Sequence, residues 1–458
     1  MKTERINKMK SKKLETLVAA CVVAVSVSLP AVAQDPSGPI LFTNVNVFDG
    51  VNEALIENAN VVVTDNLITA ISTEPLAVAG GRVIDGGGRT MMPGMIDVHW
   101  HTYLANMTVG QLLNTSDMSD IAIAGLLGNV QVLMRGFTTV RDIGGNPFAV
   151  KKAIDAGKFP GPRMLVSGPP LGQTGGHFDF APYNDVPRQP SDSLPYLERN
   201  GMVAIGDGVP DVTRKAREIL RMGATQIKIA GGGGVGSVYD PLDVTQYSLE
   251  EMQAIVGAAE NWNTYVAAHI FTDEAIQRAI KAGVKTIEHG NLIMEEETLQ
   301  MMKDNGVWLS AQPLIDDEDR LVFDNPASNA KWIVATDGTG RNYEAAKKMG
   351  VKIAFGTDML FDPAAAAKQG KMVTKLKNWF TPYEALKMVT SDNAELLMLS
   401  GPRHPYQEGP LGVIKEGAYA DLILVGGNPL ENLDLVGDAE ANFDLIMKDG
   451  KIYKNTVK

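Results

Sequence analysis

The feature that most narrows the possible folds is an alternation through the middle of the chain. Short apolar runs with strand character recur at Met95–Val98, Thr138–Arg141, Met164–Ser167, Gln226–Ala230, Tyr265–Ala268, Thr286–Glu288, Val307–Ala311 and Lys352–Phe355. Most are separated by helix-length segments, and the spacing predicts helices over Ser248–Asn261, Asp273–Ala282 and Glu295–Asn305. Eight strands alternating with helices imply an α/β fold and suit a (β/α)8 TIM barrel over residues 93–407. The same periodicity would also serve a doubly wound sheet. The flanks have another texture. Ile40–Phe42, Val45–Phe48, Val61–Val63 and Ile68–Ile71 read as short strands, with Asp49-Gly50 as a turn, and so do Leu411–Ile414, Asp421–Val425 and Leu445–Met447. The economical reading is one small β-sandwich domain built from both chain ends, residues 34–92 and 408–458.

Residues 178–208 break the alternation. They carry Pro182, Pro187, Pro190 and Pro195 with little periodicity, and an irregular segment of this length is expected to be a functional lid. Ala364–Ala367 predicts a helical turn, and no internal repeat is present.

Six histidines are scarce enough to read one by one. His99 and His101 lie two apart at the end of the first strand run, so both imidazoles can face one ion. His269 ends the fifth run, His289 the sixth, and Asp358 the eighth in Phe355-Gly356-Thr357-Asp358. In a (β/α)8 barrel those strand ends share one mouth, where active sites lie. Lys228 lies inside the fourth run. On its own it reads as an inward lysine paired with a carboxylate, because a protonated lysine would repel a metal. His404, between Arg403 and Pro405, is expected to be structural or exposed.

Taken in order, Pro93-Gly94-Met95-Ile96-Asp97-Val98-His99-Trp100-His101, Gln226-Ile227-Lys228-Ile229, Ala267-Ala268-His269, Ile287-Glu288-His289-Gly290 and Phe355-Gly356-Thr357-Asp358 resemble the motifs of the amidohydrolase superfamily. The likeness is to its branch of Xaa-Pro dipeptidases, imidazolonepropionase-like proteins and ochratoxinase-type amidases. That resemblance implies two divalent metal ions, usually zinc, with Lys228 carboxylated by carbon dioxide to a bridging carbamate. It implies His99, His101 and Asp358 on one ion and His269 and His289 on the other. It also implies a homo-oligomer. A pair of ions can acidify a shared water and polarise a carbonyl, and Asp358 can act as base and then acid.

His177, in Thr174-Gly175-Gly176-His177, is similar to a Gly-Gly-His of that branch and is expected to bind substrate or support an oxyanion. Gly231-Gly232-Gly233-Gly234-Val235-Gly236-Ser237 matches a dinucleotide pattern, but no helix is predicted to open at its end. The expected role is a tight loop bringing backbone N–H groups and Ser237 or Tyr239 near substrate. The reading is an amide or peptide hydrolase acting on a small molecule, a dipeptide of Xaa-Pro type or an N-acyl amino acid with a free carboxylate. A lactone, cyclic-imide or phosphotriester hydrolase, or a non-catalytic metal-binding protein, are its rivals. With 42 basic against 54 acidic residues, nucleic acid is excluded as an expected partner.

The first 33 residues read as a secretory signal peptide. Lys2, Arg5, Lys8, Lys10, Lys12 and Lys13 form a basic head, Leu17 to Leu29 an apolar run, and Ala31-Val32-Ala33 a cleavage site. Met9 offers a second possible start. Cleavage removes six basic and two acidic residues, taking the formal charge from −12 to −16, and it removes Cys21, the single cysteine. The remaining chain has no span of membrane length, so a periplasmic or secreted protein without stable membrane insertion is expected. The exported protein should begin at Gln34. Intact-mass measurement on periplasmic material checks this, and a mass that retains residues 1–33 contradicts it.

Overall fold

The computed structural model describes residues 38–181 and 193–457. The signal segment and residues 182–192 of the irregular 178–208 stretch lie outside them. Each of the eight expected strand runs falls on a strand: β1 (Met95–Trp100), β2 (Phe137–Asp142), β3 (Arg163–Val166), β4 (Ile227–Ala230), β5 (Val266–Thr272), β6 (Thr286–Leu292), β7 (Trp308–Ala311) and β8 (Ile353–Phe355). β1, β2 and β3 form a three-stranded parallel sheet. β4 to β8 run parallel in chain order within a seven-stranded sheet. Two strands of two residues each, Leu171–Gly172 and Ala204–Ile205, extend that sheet beyond β4. Every residue of β1 to β4 is buried, which explains why these strands read as apolar runs rather than as alternating ones.

Hydrogen bonds cross both seams between the two sheets. Past β8, the Asp358 amide donates to the His99 carbonyl at 2.8 Å. The buried Asn393 side chain donates to the carbonyls of Ile96 and Phe355 (2.7 and 2.8 Å) and accepts from the Phe355 amide at 2.9 Å. At the other seam the Thr225 amide donates to the Val166 carbonyl at 2.9 Å.

The three predicted helices are present at Leu249–Glu260, Asp273–Ala282 and Glu296–Asp304. Ser248 and Glu251 cap the first reciprocally, and Gly283 ends the second at φ 100°. Pro363–Ala366 is the expected helical turn. Among the described residues no helix is long and apolar enough to cross a membrane.

Both chain ends build one sheet. Leu422–Val425 pairs antiparallel with Thr90–Pro93, joining the strands of residues 40–93 to those of residues 422–455 along one hydrogen-bonded path. That sheet has its own core, with Phe42, Val61, Leu424 and Leu445 among its buried members. Arg163, at the start of β3, anchors it to the central strands. Its guanidinium bonds Asp421 (3.0 Å) and Asp449 (2.6 Å) and lies 3.9 Å from the Tyr419 ring centroid. His404 packs in the same region and is buried, with its Nδ1 accepting from the Tyr406 amide at 3.2 Å.

Candidate metal centre and its cavity

The C-terminal ends of β1, β5, β6 and β8 bring the expected ligands together. His99 Nε2 and His101 Nε2 lie 3.2 and 3.0 Å from the same Asp358 oxygen. His269 Nδ1 and His289 Nε2 approach each other to 2.7 Å, and His289 Nε2 is 4.0 Å from the second Asp358 oxygen. Lys228 is buried in β4 and lines the same cavity. Two ligand residues have a backbone that side chains rarely adopt, His289 at φ 82° and Asp358 at φ 50°. Gly356 lets β8 approach β1, because a Cβ there would stand 2.3 Å from the His99 Cβ.

Three imidazoles are anchored through one ring nitrogen and present the other to the group. His289 Nδ1 is 2.6 Å from Gln312 Oε1, His269 Nε2 is 3.0 Å from the Gly233 carbonyl oxygen, and His99 Nδ1 is 3.0 Å from Glu288 Oε2. Such acceptors set the tautomer that leaves a lone pair facing inward. Burial pushes His101, His269 and His289 below the ordinary histidine range, His289 to about 3. Neutral, oriented imidazoles beside a carboxylate form a donor set that suits a divalent ion such as zinc. Burial also pushes the Lys228 ammonium down to about 8, against the opposing charges of Glu288 and Asp358. Glu288 is itself fully buried. Burial alone would raise it, but Arg141 beside it at 2.7 Å holds its carboxyl well below the usual range. Glu288, Arg141 and Gln312 were not anticipated as site residues. The available signal was a charged residue inside an apolar strand run, present at Arg141 and Glu288.

The glycine loop reaches the cavity through Val235, Gly236 and Ser237 and also seats a ring. The seating is steric: a Cβ on Gly234 would fall 1.9 Å from the His177 ring. The ring therefore seats against the loop and stacks on His269 with centroids 3.9 Å apart and planes 13° apart. His177 Nδ1 is 3.0 Å from Ser237 Oγ and 3.5 Å from Asp240 Oδ2. Tyr239 is 46% exposed and is absent from the cavity lining, so it does not join Ser237 there. The loop opens no helix; the next begins at Leu249.

All five expected imidazole and carboxylate ligands, with His177, Lys228 and Ser237, line one cavity. Its space is about 1140 Å³, open mouth included. The remaining wall is mostly apolar, with the aromatic rings of Phe178, Phe180, Phe271, Phe323, Trp332 and Phe361 among aliphatic side chains. Among the described lining residues Lys228 is the only lysine or arginine.

The model of the amidohydrolase family matches residues 90–454. The chain belongs to the amidohydrolase family. It is 31% identical over 423 residues to ochratoxinase of Aspergillus niger, covering 87% of this chain and 83% of that one. Among solved structures, a prolidase complexed with N-methylphosphonate-L-proline superposes with a TM-score of 0.82 at 35% identity, covering 91% of this chain and 100% of that one. A Xaa-Pro dipeptidase with methionine bound in its active site gives 0.78 at 28% identity, with the same coverages. This amidohydrolase is accordingly a hydrolase acting on amide bonds.

Gln312 tests the anchoring of the ligands apart from the ligands themselves. Gln312→Leu leaves every proposed ligand in place but removes the acceptor at His289 Nδ1 and the amide nitrogen 3.1 Å from His99 Nδ1, and should weaken zinc binding about 10- to 100-fold. Competition with a chromophoric chelator measures this. Unchanged affinity would show that Gln312 does not tune the site.

Proposed function

We propose that this chain is an exported amide hydrolase with a two-ion centre. His99, His101 and Asp358 would hold one ion, His269 and His289 the other, and Lys228, carboxylated to a carbamate, would bridge them. The observation that carries this reading is the convergence of two ligand groups, 99/101/358 and 269/289, on one cavity beside a buried lysine. The bonds across both seams support one closed (β/α)8 barrel as the scaffold, with residues 34–92 and 408–458 as a β-sandwich domain beside it. The family resemblance supports a homo-oligomer.

When bound, such ions acidify water and polarise a carbonyl. The chain's own residues would do the rest. Water attacks the scissile carbonyl carbon, and Asp358 takes the proton released as the C–O bond forms. Asp358 then returns that proton to the leaving nitrogen as the C–N bond breaks. His177 would present Nε2 to the carbonyl oxygen or to a substrate carboxylate, donating there when both ring nitrogens carry a proton. The aromatic wall excludes water and favours a substrate with a large apolar group.

The proposed substrates are dipeptides of Xaa-Pro type or N-acyl amino acids with a free carboxylate. L-proline and methionine, the groups seen in the two solved relatives, both carry one. With no free cation among the described lining residues, the carboxylate would meet hydrogen-bond donors such as His177 and Asn291 rather than an ion pair.

The zinc-loaded protein should hydrolyse free acids faster than their methyl esters. His177→Ala should lower kcat/KM about tenfold to a hundredfold, the value of one charge-assisted hydrogen bond, with metal content unchanged. Equal rates on free and esterified compounds overturn the carboxylate assignment. Loss of metal in His177→Ala moves that residue among the ligands, and no turnover on any amide overturns the proposed function.

A further inference from the structure

Backbone bonds tie the base of the loop that seats His177, with the Gln246 amide donating to the Gly231 carbonyl at 2.9 Å and the Gly233 amide to the Val244 carbonyl at 3.3 Å, but they do not reach its 234–240 tip. Gly231, Gly232, Gly233, Gly234 and Gly236 give it more backbone freedom than any other short stretch of the chain. Yet its far half carries the two groups on His177 Nδ1. Ser237 Oγ donates to Asp240 Oδ1, and Asp240 Oδ2 also accepts from the Gln246 amide at 3.1 Å. Gln246 in turn accepts from the His177 backbone amide at 3.1 Å. Asp240 and Gln246 are both buried. A fixed Asp240 therefore requires a fixed loop.

The fixing group comes from a different element. Helix Pro326–Asp337 lies over the cavity and contributes Trp332, Ala335 and Thr336 to its wall. One residue before Trp332, the half-buried Lys331 turns to the loop. Its ammonium donates to the carbonyls of Gly234, Ser237 and Asp240 at 2.9, 2.8 and 2.6 Å. An ammonium has three N–H donors, and all three are used. Besides Lys331, the Gly234 carbonyl has only a long contact from Ser237 Oγ at 3.4 Å. The clamped residues are the glycine against the His177 ring and the two residues against its Nδ1.

We infer that Lys331 is a positioning residue for His177: it clamps the 234–240 loop so that Ser237 and Asp240 hold Nδ1 and leave Nε2 to serve the substrate. The inference rests on the reading above that His177 contacts substrate. Lys331 touches no proposed metal ligand, but Gly233, next to the clamped Gly234, holds His269 Nε2, so metal content is read beside turnover to separate the His177 route from a disturbed ligand.

Lys331→Met, Asp240→Asn and His177→Ala, singly and combined, test this in the zinc-loaded protein. Lys331→Met should lower kcat about tenfold with KM changed less than about threefold, at unchanged metal content. In the His177→Ala background the same substitution should change kcat/KM less than about twofold, because groups acting through one another are not additive. Full multiplicative losses in the double variant overturn the inference. Selective 15N-histidine spectra supply a readout that does not depend on turnover. The His177 ring resonances, assigned by their loss in His177→Ala, should shift in both Lys331→Met and Asp240→Asn. Unmoved resonances in Lys331→Met overturn the inference even if activity falls. If the wild type cleaves no amide while the resonances still shift, the clamp stands and the proposed function fails. Should Lys331→Met not fold, Lys331→Gln takes its place, with the same outcomes deciding.

Discussion

The site rests on a buried ion pair below it. Arg141 and Glu288 are both wholly inaccessible, and their side chains meet at 2.7 Å. Arg141, from β2, also donates to the Val98 carbonyl of β1, to Tyr265 Oη just before β5, and to Thr286 Oγ1 of β6 at 3.3 Å. One guanidinium thereby ties together strands from both parallel sheets. Burying two charges is costly, and a pair in this setting contributes little net stability over an apolar replacement. Removing one partner would strand the other, at about 3–5 kcal/mol. What the pair supplies is position. One Glu288 oxygen is held by Arg141 and Thr286, and the other lies at His99 Nδ1. A ligand imidazole is thus referenced to the rigid interior of the fold.

The same logic holds above it. Asp97 accepts from the His99 and Thr357 amides at 3.0 and 3.1 Å and from Thr357 Oγ1 at 2.6 Å, so the ends of β1 and β8 are locked before His99 and Asp358 meet. The positive φ of His289 and Asp358 is tolerated because neighbouring bonds fix both backbones. Loop residues such as Phe178, Phe180 and Phe323 also line the cavity, and Phe178 packs against the His177 ring with centroids 5.0 Å apart.

Much of this was legible in the sequence. The eight strand runs were readable because strands covered on both faces must be continuously apolar. The ligands were readable because scarce histidines sat at run ends. Periodicity could not decide between a barrel and a doubly wound sheet, since the bonds favouring closure join residues such as Asn393 and Ile96, remote in sequence. Leu171–Gly172 and Ala204–Ile205 are too short to carry a pattern. The charges of Arg141 and Glu288 were visible, but not that they paired. The glycine run was legible as a close approach at the cavity, but not that Gly234 makes room for a ring 57 positions earlier in the chain. Of the two side chains expected from that loop, Ser237 lines the cavity and the half-exposed Tyr239 does not.

The central claim is that two ions share a carboxylated Lys228. A crystal structure of the zinc-loaded protein, phased at the zinc edge and grown with bicarbonate, tests it most directly. The account predicts two anomalous peaks per chain, one among His99, His101 and Asp358 and one between His269 and His289, with carbamate density on Lys228 reaching both. A single peak beside an unmodified Lys228 would contradict it.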